Sequence, residues 1–163
     1  MNEFRILTEE DADSWYDVLH KGYVPLQGMN ISFEAIDAPK KQALTWFAAH
    51  PVYGFFADGQ LVSAITLRMP WGPLPGPDKV PHIGWFVTDP AFQGKGYAKQ
   101  LLAELEEKVL KKQLKTPFYT LGTAEEHPWL VEMYESMGFK VTKTVQLNGK
   151  KHHTVFMKKE LAE

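Results

Sequence analysis

Two apolar runs, "HIGWFV" (His82–Val87) and "FYTLGT" (Phe118–Thr123), stand on either side of one long helical pattern. That spacing limits the fold more than any other feature. Ala98, Leu101, Leu102, Leu105 and Val109 recur at helical intervals between the runs. Glu104 with Lys108, and Glu107 with Lys111, are four-apart pairs in the favourable order. Strands joined through a helix of this length cannot make a tight hairpin, so they are expected to lie parallel, linked by a right-handed crossover.

The flanking segments read differently. "EFRIL" alternates like a half-buried strand, and Thr8 suits a helix cap followed by Glu9, Glu10 and Asp11. The first helix is expected to run to about His20, with Gly22 beyond it. "DAPKKQALTWFAAHP" reads as a second helix capped by Asp37, with Pro39 in its first turn and Pro51 after its end. "VYGFF", Asp58-Gly59 and "QLVSAITLR" form the clearest hairpin, because Asp-Gly supplies positive φ angles. Met69 to Pro81 holds too many prolines and glycines for a regular element and reads as an exposed loop. "PWLVEMYESMGF" reads as a helix closed by Gly138, and "KVTKTVQL", Asn148-Gly149 and "HHTVFMKK" as a final hairpin. The expected class is α/β of the α+β kind: a mixed sheet with helices on its faces, in one domain over residues 1–163.

Cysteine is absent, which excludes disulfides, thiol nucleophiles and thiolate metal sites. The net charge of -2 gives no global case for nucleic acid or an anionic membrane as partner. The amino terminus lacks the basic start and apolar stretch of a signal peptide, and no run approaches the roughly 20 apolar residues of a membrane span. A cytoplasmic protein without metal is the expectation.

The turn from Gln93 to Lys99, "QGKGYAK", follows the first run and precedes the helix. The first turn of a helix has N–H groups without internal partners, and glycines let an anionic oxygen approach them. The same glycines also suit a strand-to-helix turn that binds nothing, and residue pattern alone leaves both readings open. The stretch is neither G-x-x-x-x-G-K-[ST] nor G-x-G-x-x-G, because Tyr97 and Lys99 stand at the diagnostic places.

"VTDPAFQGKGYAKQLL" resembles the acetyl-CoA-binding signature of the GNAT superfamily of N-acetyltransferases, with Gln93, Gly96 and Ala98 at its Q/R-x-x-G-x-G/A positions. "YESMGF", Tyr134 to Phe139, is similar to a second feature of that family, and the two occur in the family's order. The resemblance covers nearly the whole chain. It implies a mostly antiparallel sheet with one splayed parallel pair, and direct transfer of acetyl from acetyl-CoA to a primary amine. It also implies that backbone amides of Gly94, Lys95, Gly96, Tyr97, Ala98 and Lys99, beside Gln93, hold the pyrophosphate. Phe86, Val87 and Thr88 are implied to pair with the pantetheine arm. Homodimers are frequent in the family, so a homodimer is one expected state.

Tyr134 occupies the position of the family's usual acid toward the departing thiolate. Its spacing with Leu130, Met133 and Met137 equally fits a core aromatic. His82 is the candidate base, set against a surface histidine at a strand start after Pro81. His127 stands where many members carry an asparagine near the cofactor; a ligand-free histidine beside a helix cap fits as well. His152-His153 are strand neighbours that point to opposite faces and so do not chelate one ion. Tyr23, Trp46, Trp71 and the loop from Met69 to Pro81 are candidates for the acceptor wall. Ordinary packing is the stronger reading for Trp46. The acceptor, a small-molecule or peptide amine, is not legible.

Overall fold

The computed structural model describes residues 2–23, 39–125, 130–148 and 152–161. Seven strands, β1 (Asn2–Ile6), β2 (Val52–Ala57), β3 (Gln60–Arg68), β4 (His82–Thr88), β5 (Phe118–Ala124), β6 (Lys140–Gln146) and β7 (His153–Glu160), form one sheet in the order β1-β2-β3-β4-β5-β7-β6. Every neighbouring pair is antiparallel except β4 with β5, the two strands that flank the long helix. The helices are α1 (Ala12–Tyr23), α2 (Lys40–Ala49), α3 (Tyr97–Leu105) and α4 (Leu130–Ser136). α3 continues as a π-helical segment over Glu106–Lys111. Among the described residues no helix is long and apolar enough to cross a membrane.

Two apolar clusters cover the two faces of the sheet. α1 and α2 bury Trp15, Val18, Leu19, Ala43 and Trp46 against Val52, Phe56, Leu61 and Ala64. α3 and α4 bury Leu101, Leu102, Leu105 and Tyr134 against Tyr53, Phe55, Ile65 and Leu67. In β2 the two sets interleave, as the two-residue period of a strand requires. Asp58 and Gly59 turn the β2–β3 hairpin with φ of 50° and 81°, and Gly138 closes α4 with φ 101°. Residues 69–81 form no helix or strand. The Glu104–Lys108 and Glu107–Lys111 pairs are made, at 2.6 and 2.7 Å.

Four local expectations need correction or fall outside the description. The first helix does not stop before Gly22 but runs through it to Tyr23. Gly22 is a point of close approach: a Cβ there would lie 1.8 Å from Val87 Cγ2 and 3.2 Å from the Thr88 carbonyl oxygen. A glycine lets α1 press against β4 at the residues where the sheet opens. Pro39 precedes the first helical residue as N-cap of α2 rather than sitting within the turn. Asp37, like Gly149 of the last turn, lies outside the described residues.

Candidate active site

The opening in the sheet begins with one extra residue. Ser63 pairs with Thr88 and Ala64 with Val87, but Thr66 pairs with Gly84, so Ile65 faces both Trp85 and Phe86. At this bulge Trp85 takes φ 45°, a left-handed conformation that costs a non-glycine residue about 1–3 kcal/mol. Parallel stacking holds it there, with the ring centroid of Trp46 at 4.1 Å and that of Trp15 at 6.0 Å. β4 then parts from β5. Only His82 with Thr120 and Ile83 with Leu121 are paired. Beyond them lies a cleft of about 1070 Å³, walled by Gly84–Thr88 on one side and Leu121–Thr123 on the other.

The glycine turn stands at the far end of β4. Asp89 caps the short turn that leads to it by accepting from the Ala91 N–H at 3.0 Å. Gly94 and Gly96 both have φ 80°, and Gly96 is the N-cap of α3. Gln93 gives its N–H to the Pro90 oxygen, and Gln100 gives its own to Gly96. Among the described residues no backbone carbonyl takes the amides of residues 94–99. A Cβ added at Gly94 meets nothing within 4 Å, and one at Gly96 meets only the Gln100 side chain at 3.9 Å. The turn needs the positive φ of both glycines, and the space around their missing side chains is open.

The candidate residues do not all play the same part in this geometry. Gln93, Gly94, Gly96, Tyr97, Ala98 and Lys99 line the cleft. The Tyr97 ring also packs inward on Phe55 and Phe92. Lys95 directs its ammonium over Phe92, 5.5 Å from the ring centre. Phe86, Val87 and Thr88 line the cleft as well. The Val87 carbonyl accepts a hydrogen bond from Ser63 Oγ at 2.9 Å, and that hydroxyl is 3.0 Å from Thr88 Oγ1. Ser63, buried in β3, carried no sequence signal. His127 lies outside the described residues. His152 is buried while its neighbour His153 is exposed. Tyr23, Trp46 and loop residues 74–77 line the cleft, whereas Trp71 does not and is 74% exposed. The Trp46 indole N–H donates to Thr66 Oγ1 at 3.0 Å, so this residue is core packing and cleft wall together.

Tyr134 is likewise both: 8% exposed, on the cleft wall, with Phe139 edge-on at 5.8 Å and Phe86 at 6.4 Å. Burial pushes its phenol above the ordinary value, so it stays protonated at neutral pH. His82 is not a surface histidine. It is 4% exposed, with Nδ1 2.7 Å from Thr120 Oγ1. The loop covers it so closely that a Cβ on Gly76 would come within 2.6 Å of the ring. Burial first, then the charge of Arg68, lowers the imidazolium pKa to about 3.

A depressed folded-state pKa stabilises the fold above the unfolded value near 6.5 and loses that contribution as pH falls toward 3. The expected result is a stability loss between pH 6.5 and 3 that flattens in His82→Gln, measured by urea denaturation across that range. Full retention of the slope in the variant would contradict it. For the same reason His82 should produce no break in a pH–rate profile near 6.5.

One property of the walls was invisible in the sequence. Among the described residues lining the cleft, Arg68 and Lys99 are the lysine and arginine side chains, and no aspartate or glutamate is present.

A family model described as the acetyltransferase (GNAT) family matches residues 12–139. S-(2-succino)cysteine N-acetyltransferase of Bacillus subtilis (strain 168) is 44% identical over 158 residues, covering 97% of this chain and 95% of that protein. S-alkylcysteine N-acetyltransferase of the same organism is 37% identical over 139 residues, covering 85% and 78%. In fold, the crystal structure of a paia N-acetyltransferase from Thermoplasma acidophilum in complex with coenzyme A matches with TM-score 0.73 at 21% identity, covering 99% of both chains.

Proposed function

Because the chain belongs to the acetyltransferase (GNAT) family and is an N-acetyltransferase, we propose that it moves acetyl from acetyl-CoA directly to the α-amine of an S-substituted cysteine. The observation that carries this reading is a cleft in which, among the described residues, amides that no backbone carbonyl takes, an opened strand edge and Tyr134 meet between walls that hold no aspartate or glutamate. A polyamine or aminoglycoside acceptor needs carboxylates to hold its cations. An amino-acid acceptor, a zwitterion that carries its own carboxylate, does not. The two Bacillus relatives are both named for cysteines modified on sulfur, which supports the same class.

Acetyl-CoA, when bound, supplies an acyl group activated as a thioester. The chain's own residues do the rest. Amides of residues 94–99 donate to the diphosphate oxygens at the start of α3, and the edge of β4 past Ile83 pairs with the amides of the arm. A β4 N–H aimed at the thioester carbonyl stabilises charge as it develops there. The packed contact between Gly22 and Val87 leaves little room beside that strand, which supports a short acyl group. An α-amine lies below the lysine reference of about 10.4, so its neutral form costs less than the roughly 4.6 kcal/mol of a lysine at pH 7. His82, buried and held neutral at the start of β4, is poorly suited to take the amine's proton, which passes to water instead. Tyr134 donates a hydrogen bond to the departing sulfur. Full proton transfer from a phenol above about 10 to a thiolate near 8.5 is uphill by at least about 2 kcal/mol, so stabilising the developing charge is its main contribution.

The test is thiol release with acetyl-CoA and a panel of S-substituted cysteines, lysine peptides and polyamines. The S-substituted cysteines should exceed the others in kcat/KM by about 100-fold or more, since a site built to bond a substrate's polar groups can discriminate by up to about 10⁴- to 10⁵-fold. Faster turnover of polyamines would overturn the reading.

A further inference from the structure

Resting on the acetyl-CoA reading above, we propose that Ser63 fixes the Thr88 hydroxyl as a hydrogen-bond acceptor for the arm of the coenzyme. In this arrangement β4 holds the arm with a side chain as well as with its backbone. Ser63 stands inside the apolar run of β3 and is fully buried. A buried hydroxyl is costly unless it is bonded. Ser63 has two partners, and both are on β4: its Oγ donates to the Val87 oxygen at 2.9 Å and is 3.0 Å from Thr88 Oγ1. Thr88 is its register partner and lines the cleft.

Proton counting sets the direction of the second bond. A hydroxyl carries one proton and two lone pairs, whereas a carbonyl can only accept. The Ser63 proton goes to Val87, so Thr88 gives its own proton to Ser63. The Thr88 oxygen then has lone pairs left for the cleft and no proton. A diphosphate and a thioester carbonyl present only accepting oxygens, so neither bonds to Thr88 in this state. The arm of the coenzyme has amide N–H groups and a hydroxyl, which do.

The backbone brings the arm within reach of that oxygen. The Val87 carbonyl is turned toward β3, and the Asp89 N–H donates to the Val62 oxygen of the same strand at 2.8 Å. Backbone groups of successive strand residues point to opposite edges, so the N–H and C=O of Thr88 between them face the open edge of β4. An arm that pairs with this edge passes beside the Thr88 side chain. Ser63 touches no part of the coenzyme and acts through Thr88, as a positioning residue.

The experiment is calorimetric titration of coenzyme A and of 3′-phosphoadenosine 5′-diphosphate, which keeps the diphosphate and lacks the arm. The proteins are wild type, Thr88→Val, Thr88→Ser, Ser63→Ala and the Ser63→Ala, Thr88→Val double variant. Thr88→Val should weaken coenzyme A binding by about 3- to 10-fold, the worth of one neutral hydrogen bond, and leave the nucleotide unchanged. Thr88→Ser keeps the hydroxyl and should keep the affinity. Ser63→Ala should lose part of the same factor, and the double variant should bind no more weakly than Thr88→Val, because both act through one bond. Thermal melts report whether each variant is folded, and the isosteric Thr88→Val carries the test if Ser63→Ala is not. Unchanged coenzyme A affinity in Thr88→Val overturns the proposal. So does an equal loss for the nucleotide, which would put the hydroxyl at the diphosphate. Losses that multiply in the double variant remove the role of Ser63. A wild type that binds no coenzyme A defeats the acetyl-CoA reading itself, and this proposal falls with it.

Discussion

Gly96→Val is expected to weaken coenzyme A binding by about 10²- to 10⁴-fold, the equivalent of losing two charge-assisted hydrogen bonds of roughly 1.5–3 kcal/mol each. Gly96 is the N-cap of α3 at φ 80°, where a β-branched residue is strained whatever space surrounds it. Relief of that strain rotates the amides of residues 94–99 away from their common target. Added methyl groups would also stand in the open space that a diphosphate oxygen is proposed to enter. The fold should suffer much less, since a Cβ at this position meets nothing closer than 3.9 Å. Calorimetric titration of coenzyme A into wild type and variant, with thermal melts beside it, checks both halves. An unchanged dissociation constant would remove the anion cradle from the mechanism.

Tyr134→Phe should lower kcat by about 10²- to 10³-fold, within the range that positioned proton donors contribute. The change deletes only the hydroxyl. Phenylalanine keeps the ring against Phe139 and Phe86, so the KM for acetyl-CoA should stay within about twofold and the melting temperature nearly constant. Because burial raises the phenol's pKa, wild type should show no alkaline loss of kcat from this group below pH 10. Steady-state kinetics with thiol detection from pH 6 to 10 tests both points. An unaltered kcat would mean that the sulfur departs without Tyr134, which a thiol reference pKa near 8.5 permits.

Legibility in the sequence followed the range of the forces involved. The β2–β3 hairpin was plain because Asp58-Gly59 encodes its own positive φ angles. The α3 stripe and its ion pairs were plain because they act between residues three and four apart. Gly22 misled because a glycine after a helical pattern normally ends it, whereas here Val87, 65 positions later, demands the missing side chain. His82 looked exposed because it follows a proline-rich loop, yet Gly76 folds that loop back over the ring. Arg68 and Ser63 stood in an ordinary strand pattern, and nothing local marked them as neighbours of the cleft.

By itself the amino-acid order determined the strand–helix alternation, the hairpins, the glycine turn and, through two motifs in sequence, the family. Dihedral preferences and side-chain periodicity act within a few residues and so can be read along the chain. The parting of β4 from β5, the tryptophan stack that holds the bulge, the burial of His82 and the placing of Arg68 and Lys99 on one cleft were decided only by tertiary structure. Each of these depends on burial and pairing between segments far apart in the chain. Those contacts exist only after the sheet has closed.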